Sequence, residues 1–194
     1  MSAPPPVATP RPGLSGSATL VIPDEPARPR GPGQLWLVTA FFIGLWVKGW
    51  AIARAAALLD EHGYRDYYVD AAGDVRTRGI ARPGCPGAVG IRHPVERDKS
   101  ARVVLATDLA VATSGTYEKG AQIYDPHTGQ PATALLSLTV IGPSILDADV
   151  FTAAFAMGLR GLDFIASRAG YEAYAVDPDL RAHWTRCFEA YADR

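Results

Sequence analysis

The hydrophobic and polar positions of the chain divide it into an apolar run, an amphipathic segment and a series of short alternating stretches. Residues 35–47, LWLVTAFFIGLWV, carry no charged side chain. A transmembrane helix needs roughly 18 or more such residues, so this run is too short to span a bilayer. It predicts a buried strand or a buried helix, and a membrane-associated segment is the alternative.

The segment that follows, residues 48–63, has the periodicity of an amphipathic helix. Its apolar positions recur on one face, at Ile52, Ala55, Ala56 and Leu59. Gly63 predicts the stop at the C-terminal end. We therefore expect a helix that opens at Lys48 and Gly49, directly after the apolar run.

Short strands and helices are expected over the rest of the chain. The predicted strands are two around the turn at 71–74, then 88–92, 103–106, 111–113, 122–124, 135–142 and 172–176. The predicted helices are 144–158, 160–169 and 177–192. This order predicts an α+β fold, in which a mostly antiparallel sheet packs with helices.

Composition divides the chain into two regions. Residues 1–34 hold nine of the 16 prolines and no aromatic residue, which predicts a disordered Pro-rich segment. Residues 35–194 form the expected folded domain. A net charge of −1 argues against a nucleic-acid partner, and two cysteines, Cys85 and Cys187, exclude a disulfide framework or a cysteine-rich metal site.

Two groups of residues suggest chemistry from their spacing alone. Lys48, at the start of a helix, would place an ammonium beside free backbone N–H groups, which suits a phosphate; a solvated lysine is the plainer interpretation. Asp149 and Thr152 would share a helix face and offer oxygen ligands to a hard cation such as Mg²⁺. Their plainer interpretation is a polar start to an apolar helix.

Seven segments, in this order, resemble one enzyme family. They are VKGWA (47–51), VDAAGD (69–74), VGIRHP (89–94), ATSGTYEKG (112–120), IYDPHTGQPA (123–132), SLTVIGP (137–143) and DADVFTAAFAMG (147–158). Together they are similar to the FAD:protein FMN transferase family, also called ApbE-like. The resemblance covers about residues 44–176.

The resemblance implies a Mg²⁺-dependent transferase that uses FAD as its substrate. Such an enzyme moves FMN from FAD onto a threonine or serine hydroxyl of an acceptor flavoprotein and releases AMP. It also implies that residues 35–194 are the C-terminal part of an ApbE-like domain. We expect no nucleic-acid partner and no clear membrane anchor. The chain as written suggests the cytoplasm, although members of the family often act in the periplasm or at the membrane.

The resemblance also assigns roles to individual residues. Its metal ligands match Asp149, Thr152 and, through a backbone carbonyl, Leu45. Its cofactor-binding positions match Lys48, Gly73, Asp74, Ser114, Gly115, Tyr117, Ile123 and Asp125. No residue is assigned as the catalytic acid or base.

The sequence departs from the family pattern at three places. Phe42 replaces an aspartate, Gln122 replaces a histidine, and the spacing from Asp149 to Thr152 is one residue shorter than usual. Nothing in residues 1–43 resembles the N-terminal motifs of full members. The hypothesis is therefore an N-terminally incomplete member, and the alternative function is a degenerate member that binds flavin weakly or is inactive.

Overall fold

The computed structural model describes residues 34–96, 98–116, 123–124 and 130–193, with side chains in the first helix from Val47 onward. The helices are α1 (Gln34–Glu61), α2 (Ile145–Phe151) and α3 (Arg160–Ala166), and 3₁₀ helices cover Thr152–Met157 and Phe188–Ala190. The strands are β1 (Tyr67–Ala71), β2 (Asp74–Arg78), β3 (Ile80–Arg82), β4 (Cys85–Arg92), β5 (Ser100–Ala106), β6 (Ala110–Gly115), β7 (Ser137–Gly142), β8 (Glu172–Val176) and β9 (Ala182–Trp184).

Six strands form the main sheet in the order β1-β2-β6-β7-β8-β9, and every neighbouring pair is antiparallel. The central strand β7 is buried at all six positions. Leu138 and Val140 contribute to the core on one face of the sheet, and Ile141 contributes to the core on the other face. The predicted α+β fold with a mostly antiparallel sheet is confirmed.

The two faces of the main sheet are covered by different layers. The helices pack on one face around a cluster that includes Ile52, Leu138 and Phe155. A three-stranded sheet, β3-β4-β5, packs on the other face around Val104 and Phe188. Residues of alternating parity on each strand of the main sheet therefore point into different cores.

The apolar run and the amphipathic segment form one helix rather than two elements. Helix α1 continues from Gln34 to Glu61 through Lys48, so the predicted helix start at Lys48 is wrong. The periodicity of the apolar run could not show whether it forms a strand or a helix, because a uniformly apolar sequence suits a buried strand and a buried helix equally well. None of the helices in the described residues has the length and apolar character needed to cross a bilayer.

Helix α1 ends as the sequence predicts. Gly63, just after the helix, has φ of +83°, and its N–H donates to the carbonyl of Asp60. Ile52 and Ala56 on the predicted apolar face are buried. The predicted disordered segment, residues 1–34, lies outside the described residues except for Gln34, where α1 begins.

The C-terminal region corrects a second expectation. Residues 177–192 do not form a helix: Ala182–Trp184 pairs with β8 as strand β9, and only Phe188–Ala190 is helical, as a 3₁₀ turn. Asp177 causes the reversal because its carboxylate accepts hydrogen bonds from the N–H groups of Asp179 and Arg181. Such a side chain caps a turn and competes with a helix.

The predicted helix at 144–158 is also interrupted. Helix α2 ends at Phe151, and the chain tightens into a 3₁₀ helix that begins at Thr152. The predicted strand at 122–124 reduces to a single bridge between Tyr124 and Pro131, and Gln122 lies outside the described residues.

Candidate functional site

Polar side chains from four elements meet on the helix-covered face of the main sheet. Helix α1 supplies Lys48, strand β2 supplies Asp74 and helix α2 supplies Asp149. Thr152 follows at the start of the 3₁₀ helix. Asp74, Asp149 and Thr152 are each at most 1% exposed, so the cluster lies inside the protein and not on a solvated face.

Lys48 and Asp74 form an ion pair at the centre of this cluster. The Lys48 ammonium contacts Oδ2 of Asp74, and Oδ1 of Asp74 accepts a hydrogen bond of 3.0 Å from the Thr113 N–H. In the hairpin turn before Asp74, two consecutive residues have a left-handed backbone conformation, with φ of +52° at Ala72 and +85° at Gly73. This turn starts β2 in the register that directs Asp74 toward the helices.

Asp149 is held between the same ammonium and the backbone of α1. Its Oδ1 lies 3.7 Å from Nζ of Lys48, and its Oδ2 accepts a 3.0 Å hydrogen bond from the Gly49 N–H. In a regular α-helix that N–H would donate to the carbonyl of Leu45, four residues earlier. A backbone carbonyl oxygen has two lone pairs, so the Leu45 carbonyl in α1 can accept a helical hydrogen bond and still bind a cation.

The two carboxylates face each other, and this proximity changes their acidity. Burial and then repulsion from Asp74 raise the pKa of Asp149 to about 7, although Lys48 and the Gly49 N–H act in the opposite direction. Burial also raises the pKa of Asp74 above its usual range, against the lowering effect of Lys48. One ammonium therefore does not fully compensate two buried acids.

The Thr152 hydroxyl joins the cluster through two hydrogen bonds. It donates to the backbone carbonyl of Asp149 at 2.6 Å and accepts from the hydroxyl of Ser114 at 2.8 Å. Ser114 lies on β6, so these bonds connect the sheet to the end of α2. The predicted proximity of Asp149 and Thr152 is present in the structure.

The remaining predicted positions are next to cluster residues in the sequence, elsewhere in the fold or outside the described residues. Gly73 forms the turn before Asp74, Gly115 ends β6 opposite Ser137, and Ile123 is buried in the core. Leu45 lies in α1, where its side chain is not described. Tyr117 and Asp125 lie outside the described residues.

Sequence reasoning missed the part that Gly49 plays. A Cβ at this position would lie 3.1 Å from Cα of Leu146 and 3.2 Å from Oδ2 of Asp149. Glycine therefore lets α1 and α2 approach closely enough for its N–H to reach Asp149. The available signal was an isolated glycine inside a helical pattern, which indicates a packing or functional reason.

The opposite face of the sheet holds a cavity of about 420 Å³. Val75 and Thr77 line it from β2, Gly73 from the turn before β2, and Gly87 and Gly90 from β4. The cavity contains neither Lys48 nor Asp149. We place the candidate site at the cluster because the charged and oxygen-bearing side chains converge there.

The cluster can hold a cation through oxygen ligands and an anion through Lys48. In the described residues, Asp, Glu, His and Cys side chains form no group of three or more that could bind a metal ion. A cation at this place would therefore depend on carboxylate, hydroxyl and carbonyl oxygens together. This set suits a hard cation, such as Mg²⁺, rather than a soft one.

Several curated proteins that are similar to this chain carry the name FAD:protein FMN transferase. The protein from Vibrio cholerae is 32% identical over 112 residues, which are 53% of this chain and 34% of that protein. The one from Escherichia coli K12 is 28% identical over 140 residues (66% and 40%), and the one from Treponema pallidum is 31% identical over 159 residues (72% and 44%). The chain thus spans 34–44% of the length of these relatives.

Solved structures agree with these relatives. The flavin transferase ApbE from Vibrio cholerae superposes with a TM-score of 0.68 at 25% identity, over 85% of this chain and 65% of that one. The ApbE protein from Thermotoga maritima gives a TM-score of 0.71 at the same identity and coverage. The model of the ApbE family matches residues 43–175, which include every residue of the cluster. The chain belongs to the ApbE family.

Proposed function

We propose that this protein is a FAD:protein FMN transferase, which moves FMN from FAD onto a threonine or serine hydroxyl of an acceptor flavoprotein and releases AMP. The observation that carries the proposal is the convergence of Lys48, Asp74, Asp149 and Thr152 at the junction of α1 and α2. Relatives that bear this name support it.

The residues of the cluster fit a Mg²⁺ ion. Asp149 offers a carboxylate that is 1% exposed and imperfectly compensated, and Thr152 offers a hydroxyl oxygen. The Leu45 carbonyl oxygen has a second lone pair besides the one that a helical hydrogen bond uses. When bound, Mg²⁺ would neutralise charge on the pyrophosphate of FAD. We propose these three residues as its protein ligands.

Lys48 and Asp74 act together in the proposed mechanism. Lys48 is half-buried, at 31% exposure, so its ammonium can reach a pyrophosphate oxygen from the edge of the cluster. Asp74 is fully buried and anchored by the Thr113 N–H, so it fixes the direction of the lysine side chain. Gly73, Ser114, Gly115, Tyr117, Ile123 and Asp125 remain our proposed surroundings of the FAD.

The transfer itself breaks one bond and forms one bond. The acceptor hydroxyl oxygen attacks the phosphorus of the FMN half, and the bond from that phosphorus to the AMP oxygen breaks. AMP takes the electron pair of that bond, and the hydroxyl proton leaves to a base. Positioning and charge stabilisation by Lys48 and the oxygen ligands supply most of such catalysis.

A second candidate function is flavin binding without transfer. Gln122 stands where the family pattern has a histidine, and a glutamine amide cannot accept a proton near neutral pH. A protein with this change would retain the Lys48 and Asp149 contacts and lose the base. It would bind FAD and release no AMP.

Two measurements test both candidates on the full chain. FAD binding is followed by flavin fluorescence, with Mg²⁺ or with EDTA, for the wild type, Asp149→Asn and Asp163→Asn. Asp163 is exposed on α3 and serves as the matched control. We expect Mg²⁺ to tighten FAD binding, and Asp149→Asn to weaken the Mg²⁺ effect at least about tenfold, since it removes a proposed metal ligand.

AMP release then separates transfer from binding. The protein is incubated with FAD, Mg²⁺ and a threonine-bearing acceptor flavoprotein, and AMP and covalent flavin are measured. Covalent flavin in proportion to AMP supports the transferase. Mg²⁺-dependent FAD binding without AMP supports the second candidate, and no FAD binding contradicts both.

A further inference from the structure

We infer that Ser114 is a positioning residue, which orients the Thr152 hydroxyl as a ligand of the divalent cation. This inference rests on the proposed function, since it concerns the cation site of the transferase. The resemblance places Ser114 beside the cofactor. The geometry directs its hydroxyl to Thr152, at 2.8 Å, on the helix-covered face of the sheet.

The hydrogen-bond count of Thr152 carries the argument. A threonine hydroxyl has one proton and two lone pairs. Its proton is donated to the carbonyl of Asp149 at 2.6 Å, and one lone pair accepts the proton of Ser114. One lone pair remains. A cation binds to a lone pair of the oxygen. Because the two existing hydrogen bonds use the proton and one lone pair, the hydroxyl can bind a cation in only one direction.

Because Thr152 is buried, the orientation of its hydroxyl depends on the hydrogen bonds that the protein supplies. The residue is 1% exposed, so no bulk water can replace a lost partner at its hydroxyl. Threonine in a helix divides its population between two χ1 rotamers because its hydroxyl can bond back to the preceding turn. The bond to the Asp149 carbonyl is of this kind, and the bond from Ser114 adds a second fixed point on the rigid sheet.

Strand β6 is a suitable base for such a positioning residue. It pairs with β2 on one side and with β7 on the other. The Thr113 N–H on the same strand holds Asp74. Two neighbouring residues of β6 therefore hold two members of the cluster in place: the Thr113 N–H holds Asp74, and the Ser114 hydroxyl holds Thr152.

The test measures Mn²⁺ binding to the full chain in the absence of FAD, by EPR of free Mn²⁺. The variants are Ser114→Ala, Ser114→Thr and Thr139→Val. Thr139 is fully buried and its hydroxyl pairs with that of Thr113 at 2.9 Å, so its variant removes a comparable hydroxyl bond elsewhere in the sheet. The melting temperature in EDTA reports the structural cost of each change.

We expect Ser114→Ala to raise the Kd for Mn²⁺ about tenfold or more, as for other residues that orient metal ligands. Ser114→Thr keeps the hydroxyl and should retain binding within about threefold, well inside the tenfold effect. Thr139→Val should lower the melting temperature and leave the Kd unchanged. If Ser114→Ala does not fold, Ser114→Cys carries the test, since the thiol fills the space but donates weakly.

The results separate the inference from the proposed function. A wild-type Kd for Mn²⁺ that persists in folded Ser114→Ala, or in Ser114→Cys, overturns the inference and leaves the metal site standing. If Ser114→Ala changes the affinity for FAD but not the affinity for Mn²⁺, the inference is also overturned, and Ser114 contacts the cofactor instead. A wild type that binds no Mn²⁺ overturns the metal site itself.

Discussion

At the scale of single residues, Lys48 lies beside two buried carboxylates whose charges it cannot both neutralise. Its ammonium contacts Asp74 and lies 3.7 Å from Asp149. A divalent cation bound to Asp149 would come within a few ångströms of that ammonium and repel it. The cation and Lys48 therefore compete for the same carboxylate oxygen, while both attract a pyrophosphate.

We predict that Lys48→Met tightens Mn²⁺ binding and weakens FAD binding. Removal of the competing ammonium should lower the Kd for Mn²⁺ about fivefold or more, the lower end of ordinary coupling between sites. Loss of Lys48 should raise the pKa of both carboxyls further, because the ammonium lowers it, so binding is measured at pH 8 to limit their protonation. FAD affinity should fall because the pyrophosphate loses a cationic partner.

Lys99→Met is the control for this prediction. Lys99 is exposed and pairs with Glu96 on the surface, so its removal changes net charge by the same amount without touching the cluster. Weaker Mn²⁺ binding in Lys48→Met than in Lys99→Met would show that the lysine supports the cation site and does not compete with it.

At the scale of elements, the site depends on how closely α1 and α2 approach. Gly49 faces the backbone of α2 at Leu146, which cannot move aside as a flexible side chain would. The Gly49 N–H also holds Asp149. A change in helix separation should therefore act on stability and on cation binding together.

Gly49→Ala tests this coupling. Overpacking costs about 1–3 kcal/mol, and the better helix propensity of alanine returns about 1 kcal/mol. We expect a net loss of about 0–2 kcal/mol in unfolding free energy and a Kd for Mn²⁺ that rises several-fold. Ala51→Gly, at an exposed position of the same helix, should cost about 1 kcal/mol and leave the Kd unchanged. Equal Mn²⁺ affinity in Gly49→Ala would contradict the role of the close approach.

The same scale shows what the sequence could and could not predict. Strand β8 lies at residues 172–176 as predicted, where a short apolar run stands between turn residues. The helix expected over 177–192 failed because Asp177 bonds its own turn. Asp149 and Thr152 were accessible from their spacing and the family resemblance. The contact of Asp74 with Lys48 was not, since it depends on how α1 packs against the sheet.

At the scale of the whole molecule, the buried charged side chains of the cluster are brought together only by the complete fold. The residues of the cluster come from positions 48, 74, 149 and 152, so no local segment can form it. A ligand that binds only the folded state stabilises it by mass action. Mg²⁺ binding should therefore raise the melting temperature of the whole domain.

The raised pKa values of the buried carboxyl groups of Asp149 and Asp74 make the stability of the metal-free protein depend on pH. In the unfolded chain Asp149 titrates near pH 4, and in the folded protein its pKa is about 7. Between these values the folded state keeps a proton that the unfolded state has released, so stability falls as pH rises. The raised pKa of Asp74 acts in the same direction.

We therefore predict that the melting temperature in EDTA decreases from pH 5 to pH 7.5, and that Asp149→Asn decreases less over the same range. The asparagine cannot ionise, so it removes the proton that links folding to pH, while Asp163→Asn keeps the wild-type slope. Each 1 kcal/mol lost lowers the melting temperature by roughly 2–4 °C for a domain of this size. Equal slopes for wild type and Asp149→Asn would show that Asp149 is ionised in the folded protein throughout. In that case Lys48 would balance the buried carboxylates without help, and the site would not need a divalent cation for charge compensation.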